Sequence, residues 1–119
     1  MTRINVGIDP SELSAKHLIA EHLEIKRIPN MIRTGKAKLI DIPDTFRLGQ
    51  GHVKFFYNKL GYLLDRYVQI YEECIKRGFN VQSYESAWSG IPSELLGQYE
   101  PTQHDVHIIR ERISSRSSK

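Results

Sequence analysis

The sequence predicts an all-α fold: a compact single domain of three principal helices, long irregular connections and an extended N-terminal arm. Three observations predict it. Between residues 51 and 77, Val53, Phe56, Leu60, Leu63, Tyr67, Ile70 and Cys74 recur at alternating steps of three and four, the spacing of one buried helix face. Helix-start signals stand at Asp9-Pro10 and at Thr102, which has Asp105 three residues on. No segment gives a convincing alternation of apolar and polar residues, as a half-buried strand would.

The elements follow in order. Residues 2–8 contain Gly7 and no helical period, and read as an extended arm. Asp9 as cap, Pro10 in the first turn and Glu12 three residues after the cap predict a helix running to about Ile25, with Leu13, Leu18, Ala20 and Ile25 on its buried side. Ile28-Pro29 predicts a break or bend, because the residue before a proline is pushed out of helical geometry. Residues 29–50 carry Pro29, Gly35, Pro43 and Gly49 and read as a long connection with one helical turn near Asn30–Arg33. A connection of that length is uncommon in a small domain unless it has a task.

Residues 51–77 are expected to form one continuous helix, roughly 40 Å long at 1.5 Å per residue. It ends at Gly78, after the cations Lys76 and Arg77 that suit a helix C-terminus. Residues 79–100 hold Trp88, Gly90, Pro92 and Gly97 and predict an ordered loop with a short helix at 92–96. A last helix starts after Thr102 with Val106, Ile109 and Ile113 as its apolar face. The folded domain is expected over residues 1–113, with a Ser-, Arg- and Lys-rich flexible tail over 114–119.

Composition narrows the function classes. At 119 residues the chain can bury a core without disulfides or metal. Its single cysteine, Cys74, excludes an intrachain disulfide and fits a reducing compartment. No apolar run approaches the roughly 20 residues of a membrane span, and no signal-peptide pattern opens the chain. A protein of the cytoplasm, without membrane contact, is expected. Zinc-type cysteine pairs, a P-loop, a nucleophile elbow and a dinucleotide fingerprint are all lacking. The net charge of +3 is mild, so its distribution matters more than its sum. Lys26, Arg27, Arg33, Lys36 and Lys38 form a basic band with no acid until Asp41. It is either a solubilising loop or a strip that contacts phosphates.

On a helix, His17, Glu21 and Glu24 fall in one row, with Lys26-Arg27 at its end. Two carboxylates and an imidazole beside cations are costly to desolvate, so the row is expected to line a cleft or face water. His52 opens the long helix, where it either meets a phosphate or makes a local hydrogen bond.

Several runs carry a more specific signal: Met1-Thr2-Arg3-Ile4-Asn5, Ser11-Glu12-Leu13, His17-Leu18-Ile19-Ala20-Glu21, Gly51-His52-Val53-Lys54-Phe55-Phe56-Tyr57 and Lys76-Arg77-Gly78-Phe79-Asn80. Together and in this order, from Thr2 to about Tyr99, they resemble the pyrimidine-dimer DNA glycosylase family, the family of phage endonuclease V. The resemblance implies a helical domain whose N-terminal arm threads between helices toward a cleft. It implies base-excision repair of double-stranded damaged DNA in a bacterial or phage-infected cell, with cis-syn cyclobutane pyrimidine dimers as substrate and abasic-site lyase activity.

Thr2 and Glu24 fall on the family's catalytic positions. Once Met1 is removed, the Thr2 α-amine has a reference pKa near 8. It is then sufficiently uncharged at neutral pH to attack a sugar carbon and form an imine. Glu24 would steady the cationic sugar and move protons. Arg3, His17 and Arg27 fall on family positions near the lesion. With His22, Lys26, Arg33, Lys36, His52 and Lys54 they make up the candidate DNA-binding set. No metal or other cofactor is implied, and a monomer is expected.

Three departures bear on lesion specificity. Leu23 stands where the family's best-known member has an arginine, the connection after Arg27 is shorter, and the sequence reaches Lys119 without the aromatic, basic tail that the family uses in dimer recognition. They leave open a second reading, a catalytically silent member that holds DNA or a small phosphorylated nucleotide in the same cleft.

Overall fold

The computed structural model describes residues 2–117, with side chains to residue 115. The N-terminal arm is the element about which the helices are arranged. Ile4, Val6 and Ile8 are buried, and the arm's polar groups bond to Glu21, His52, Arg66 and Arg112, which come from four different helices. The arm does run between helices, as the resemblance implied. All-α is the observed class: the described residues contain α-helices and 3-10 turns and no strand.

The first helix starts later than the sequence predicted. Asp9 caps only a 3-10 turn, Pro10–Glu12, by accepting from the amide and the hydroxyl of Ser11. Ser14 is the cap of α1 (Ala15–Glu24), its hydroxyl accepting the His17 amide. Leu18 and Ile25 are fully buried, whereas Ala20 is only half-buried. The break or bend expected at Ile28-Pro29 falls earlier, at Ile25-Lys26, between the first helix and the next. α2 (Arg27–Arg33) follows α1 almost at once and contains Pro29 in its first turn. There an amide N–H would have had no helical partner, so proline costs nothing in hydrogen bonds.

The single long helix over 51–77 is also corrected. It is divided into α3 (His52–Phe55), a 3-10 turn Phe56–Asn58 and α4 (Leu60–Lys76), with Lys59 out of helical geometry between them. At 17 residues α4 spans about 25 Å. The cause is a distant segment pressed against the junction. The Tyr62 amide donates to the Gly97 carbonyl at 3.1 Å, and a side chain at Gly61 would collide with the Leu96 carbonyl. The Trp88 indole N–H also reaches the Leu60 carbonyl, at 3.1 Å. The predicted stripe survives from Leu60 onward: Leu60, Leu63, Tyr67, Ile70 and Cys74 are all buried, and Val53 is half-buried. The stop at Gly78 holds, with Gly78 N–H donating to Ile75 and Phe79 N–H to Cys74.

Residues 79–100 form an ordered loop with 3-10 turns at Glu85–Trp88 and Ser93–Leu95 rather than a helix at 92–96. Thr102 and Asp105 cap each other reciprocally, at 3.0 and 3.2 Å, at the start of α5 (Gln103–Ser117). α5 continues past the point where the flexible tail was expected, and residues 118–119 lie outside the described residues. No helix among the described residues is long and apolar enough to cross a membrane.

Candidate functional site

Glu24 is at the last turn of α1, half-buried, and its Oε1 accepts the backbone N–H of Arg3 at 2.8 Å. Neighbouring backbone nitrogens are at most about 3.7 Å apart, so the Thr2 nitrogen lies within roughly 6.5 Å of that oxygen. The arm is held in this position residue by residue. Ile4 N–H donates to His52 Nε2 at 3.0 Å. The Asn5 amide donates to Glu21 Oε1 at 2.8 Å and accepts from Arg112 at 2.8 Å. The Ile8 carbonyl accepts from Arg66 at 2.9 Å.

A narrow pocket opens beside the arm, lined by Arg3, Asn5, His17, Ala20, Glu21, Glu24, Arg112 and Ile113. Its free space is about 20 Å³, room for about one water. As the arm and α5 stand, a nucleotide can meet it only at its mouth. Arg3 lines it with a buried Nε that has no hydrogen-bond partner among the described residues. Two guanidiniums, an imidazole and two carboxylates, Glu21 and Glu24, thus converge next to the Thr2 backbone.

The predicted row on α1 is present, but its middle member has another role. Glu21 is 1 % exposed and forms an ion pair with Arg66, itself buried, with contacts of 2.5 and 3.1 Å. All three members of the row line the pocket, as expected, but Glu21 is held in this buried ion pair and does not face water. The cost of desolvating it is offset by a buried guanidinium 45 residues away, together with the Asn5 amide.

Two predicted DNA contacts are drawn inside. His22 is buried among the rings of Tyr67, Tyr71 and Tyr84, with Nε2 3.1 Å from the Tyr67 hydroxyl. Burial lowers its pKa. His52 is 3 % exposed. Its Nδ1 is 2.9 Å from the Arg47 carbonyl, which can only accept, so Nδ1 carries the proton and Nε2 is free to accept from Ile4. Burial pushes its pKa down to about 4. Neither imidazole is accessible to a phosphate. Of the two readings of His52, the local hydrogen bond is the one observed.

The other cations are dispersed. Lys26 bonds the Leu23 carbonyl and sits 4.0 Å above the Tyr84 ring, and burial lowers its pKa. Arg27 and Lys36 are exposed, Arg33 is exposed and reaches the Ser86 carbonyl, and Lys54 is half-buried on α3. None of these five lines the pocket.

The sequence reading missed Arg112. The available signal was that Arg112 precedes Ile113 on the predicted apolar face of the last helix. A cation at the edge of a buried face must find an anion or an acceptor, and here it finds the arm.

A protein-family model described as pyrimidine dimer DNA glycosylase matches residues 1–84, which includes the arm, α1 and the whole of α4.

Proposed function

The chain belongs to the pyrimidine dimer DNA glycosylase family, and from that premise we propose a DNA base-excision repair enzyme that removes a damaged base and cuts the abasic strand through the Thr2 α-amine. The observation that supports this reading is the 2.8 Å bond from the Arg3 amide to Glu24, which tethers the residue after the proposed nucleophile to a carboxylate. The Thr2 amine, freed of Met1, attacks the sugar C1′ and the bond from C1′ to the base breaks. Opening of the sugar ring gives an imine between C1′ and the Thr2 nitrogen. Loss of a C2′ proton then expels the 3′-phosphate and cuts the strand. Glu24 stabilises the positive charge on the sugar and imine and relays protons. Arg3, Arg112 and His17 supply cations and donors for the flanking phosphate and sugar. The damaged nucleotide is extruded toward the pocket mouth, with the cyclobutane pyrimidine dimer as the lesion.

Borohydride trapping tests the proposal. Protein shown by intact mass to lack Met1 is incubated with an abasic duplex and with a defined dimer-containing duplex. A covalent adduct that maps to Thr2 is expected with both, and none from protein that retains Met1. Absence of adduct from Met-free protein, with binding intact, would instead favour a catalytically silent DNA-binding member.

A further inference from the structure

The connection between α2 and α3 is folded. At its exit the amides of Lys36 and Ala37 both donate to the Met31 carbonyl, at 3.0 and 3.1 Å. At its return Phe46 is buried against the rings of His52, Phe55 and Phe56, and the Arg47 carbonyl takes the His52 N–H. Between these anchors Ala37 and Ile42 pack onto the core, but Leu39 and Ile40 do not. They are 47 % and 68 % exposed. The chain bends at Asp41, between the outward pair and inward Ile42, with a φ of 56°. That left-handed conformation is uncommon for a residue other than glycine, though aspartate tolerates it better than most. Two adjacent large apolar side chains thus stand in solvent beside exposed Lys38 and Asp41, while Ala37 and Ile42, the next residues out, pack onto the core.

Charge suggests what covers them. Arg33, Lys36 and Lys38, all exposed, precede the pair with no acid between them, and the exposed acids Asp41 and Asp44 follow it. The tip thus has a cationic flank and an acidic one. The connection leaves from the far end of α2, the short helix that begins three residues after Glu24, and its return ends at His52, which holds Ile4 beside Arg3.

We propose that Leu39 and Ile40 form an apolar wedge that enters duplex DNA between base steps, while Lys36 and Lys38 hold the adjoining phosphates. The inference rests on the DNA-repair reading above and adds to it the device that opens the duplex. Proteins that kink DNA from its minor groove combine leucine or isoleucine wedges with cations on the backbone. A pocket too small for a nucleotide needs a substrate already unstacked at its mouth.

The test is a dimer-containing duplex labelled at both ends, followed by energy transfer for bending and by titration across a salt series. Leu39→Ser combined with Ile40→Ser alters only exposed side chains, and its thermal midpoint should match the parent's. It should bind about tenfold more weakly and fail to bend the duplex, with an unchanged salt slope. Lys36→Ala combined with Lys38→Ala should lower the slope of log K against log salt by about 1.8.

Binding and bending by the apolar variant equal to the parent's, with the parent cleaving normally, overturns the wedge and leaves the repair reading standing. A parent that neither binds nor cuts the duplex fails the repair reading instead. Phosphatidylserine vesicles and sedimentation velocity complete the set. If the apolar variant loses vesicle binding or self-association but keeps DNA bending, the occupant is a membrane or a second copy, and the proposal is overturned.

Discussion

Acid should loosen the arm through His52. The neutral ring donates from Nδ1 to Arg47 and accepts at Nε2 from Ile4, so both nitrogens are satisfied inside an aromatic nest that includes Phe46 and Phe56. A second proton must go on Nε2, where it would face the Ile4 N–H and bring a charge into the core. Burial is the main reason the folded pKa falls to about 4 from the ordinary 6.5, with the Arg47 hydrogen bond opposing it and the Arg112 charge adding to it. The sign follows directly. A base whose pKa is depressed by folding contributes fully above its unfolded value, so stability is lost as pH falls from about 6.5 toward 4. That gap, at 1.36 kcal/mol per pH unit, is worth about 3 kcal/mol. A glutamine can accept from Ile4 and donate to Arg47 without titrating, so His52→Gln isolates the effect. Urea unfolding from pH 7.5 to pH 4 should show the parent losing about 3 kcal/mol more than the variant. Parallel loss in the two proteins across that range would refute the assignment of this imidazole as a neutral buried anchor of the arm.

Glu24→Gln should fold normally, since an amide oxygen can still accept from Arg3, yet cleave a dimer-containing duplex at least about 100-fold more slowly in single-turnover assays. Arg66→Met leaves Glu21 buried without its cation and should lower unfolding free energy by about 3–5 kcal/mol, read by urea denaturation at neutral pH. Gly7→Ala places a methyl group in collision with Val106 on a backbone at φ 72°, and should cost about 2–3 kcal/mol with a matching fall in thermal midpoint. Equal stability of Gly7→Ala and parent would show that the arm can shift away from α5.

The sequence by itself determined the helical class, the stripe from Leu60 to Cys74, the capping pair Thr102 and Asp105 and the stop at Gly78. Each depends on residues within a turn or two of one another, where spacing and capping chemistry act locally. It also put forward Thr2, Arg3, His17 and Glu24 as site candidates, by resemblance to a known family, and the fold brings Arg3, His17 and Glu24 to one pocket. What it did not determine was where polar groups find partners across the chain. Glu21, His22 and His52 looked like surface chemistry because their types are costly to bury. Burial became affordable only when Arg66, Tyr67 and the arm's own N–H groups met them in three dimensions. The division of the long helix at Lys59 has the same origin, since the segment that presses on it arrives about 35 residues later in the chain. Arg112 joined the site for that reason too: local sequence set its helix, but only packing against the arm gave it a place beside Glu24.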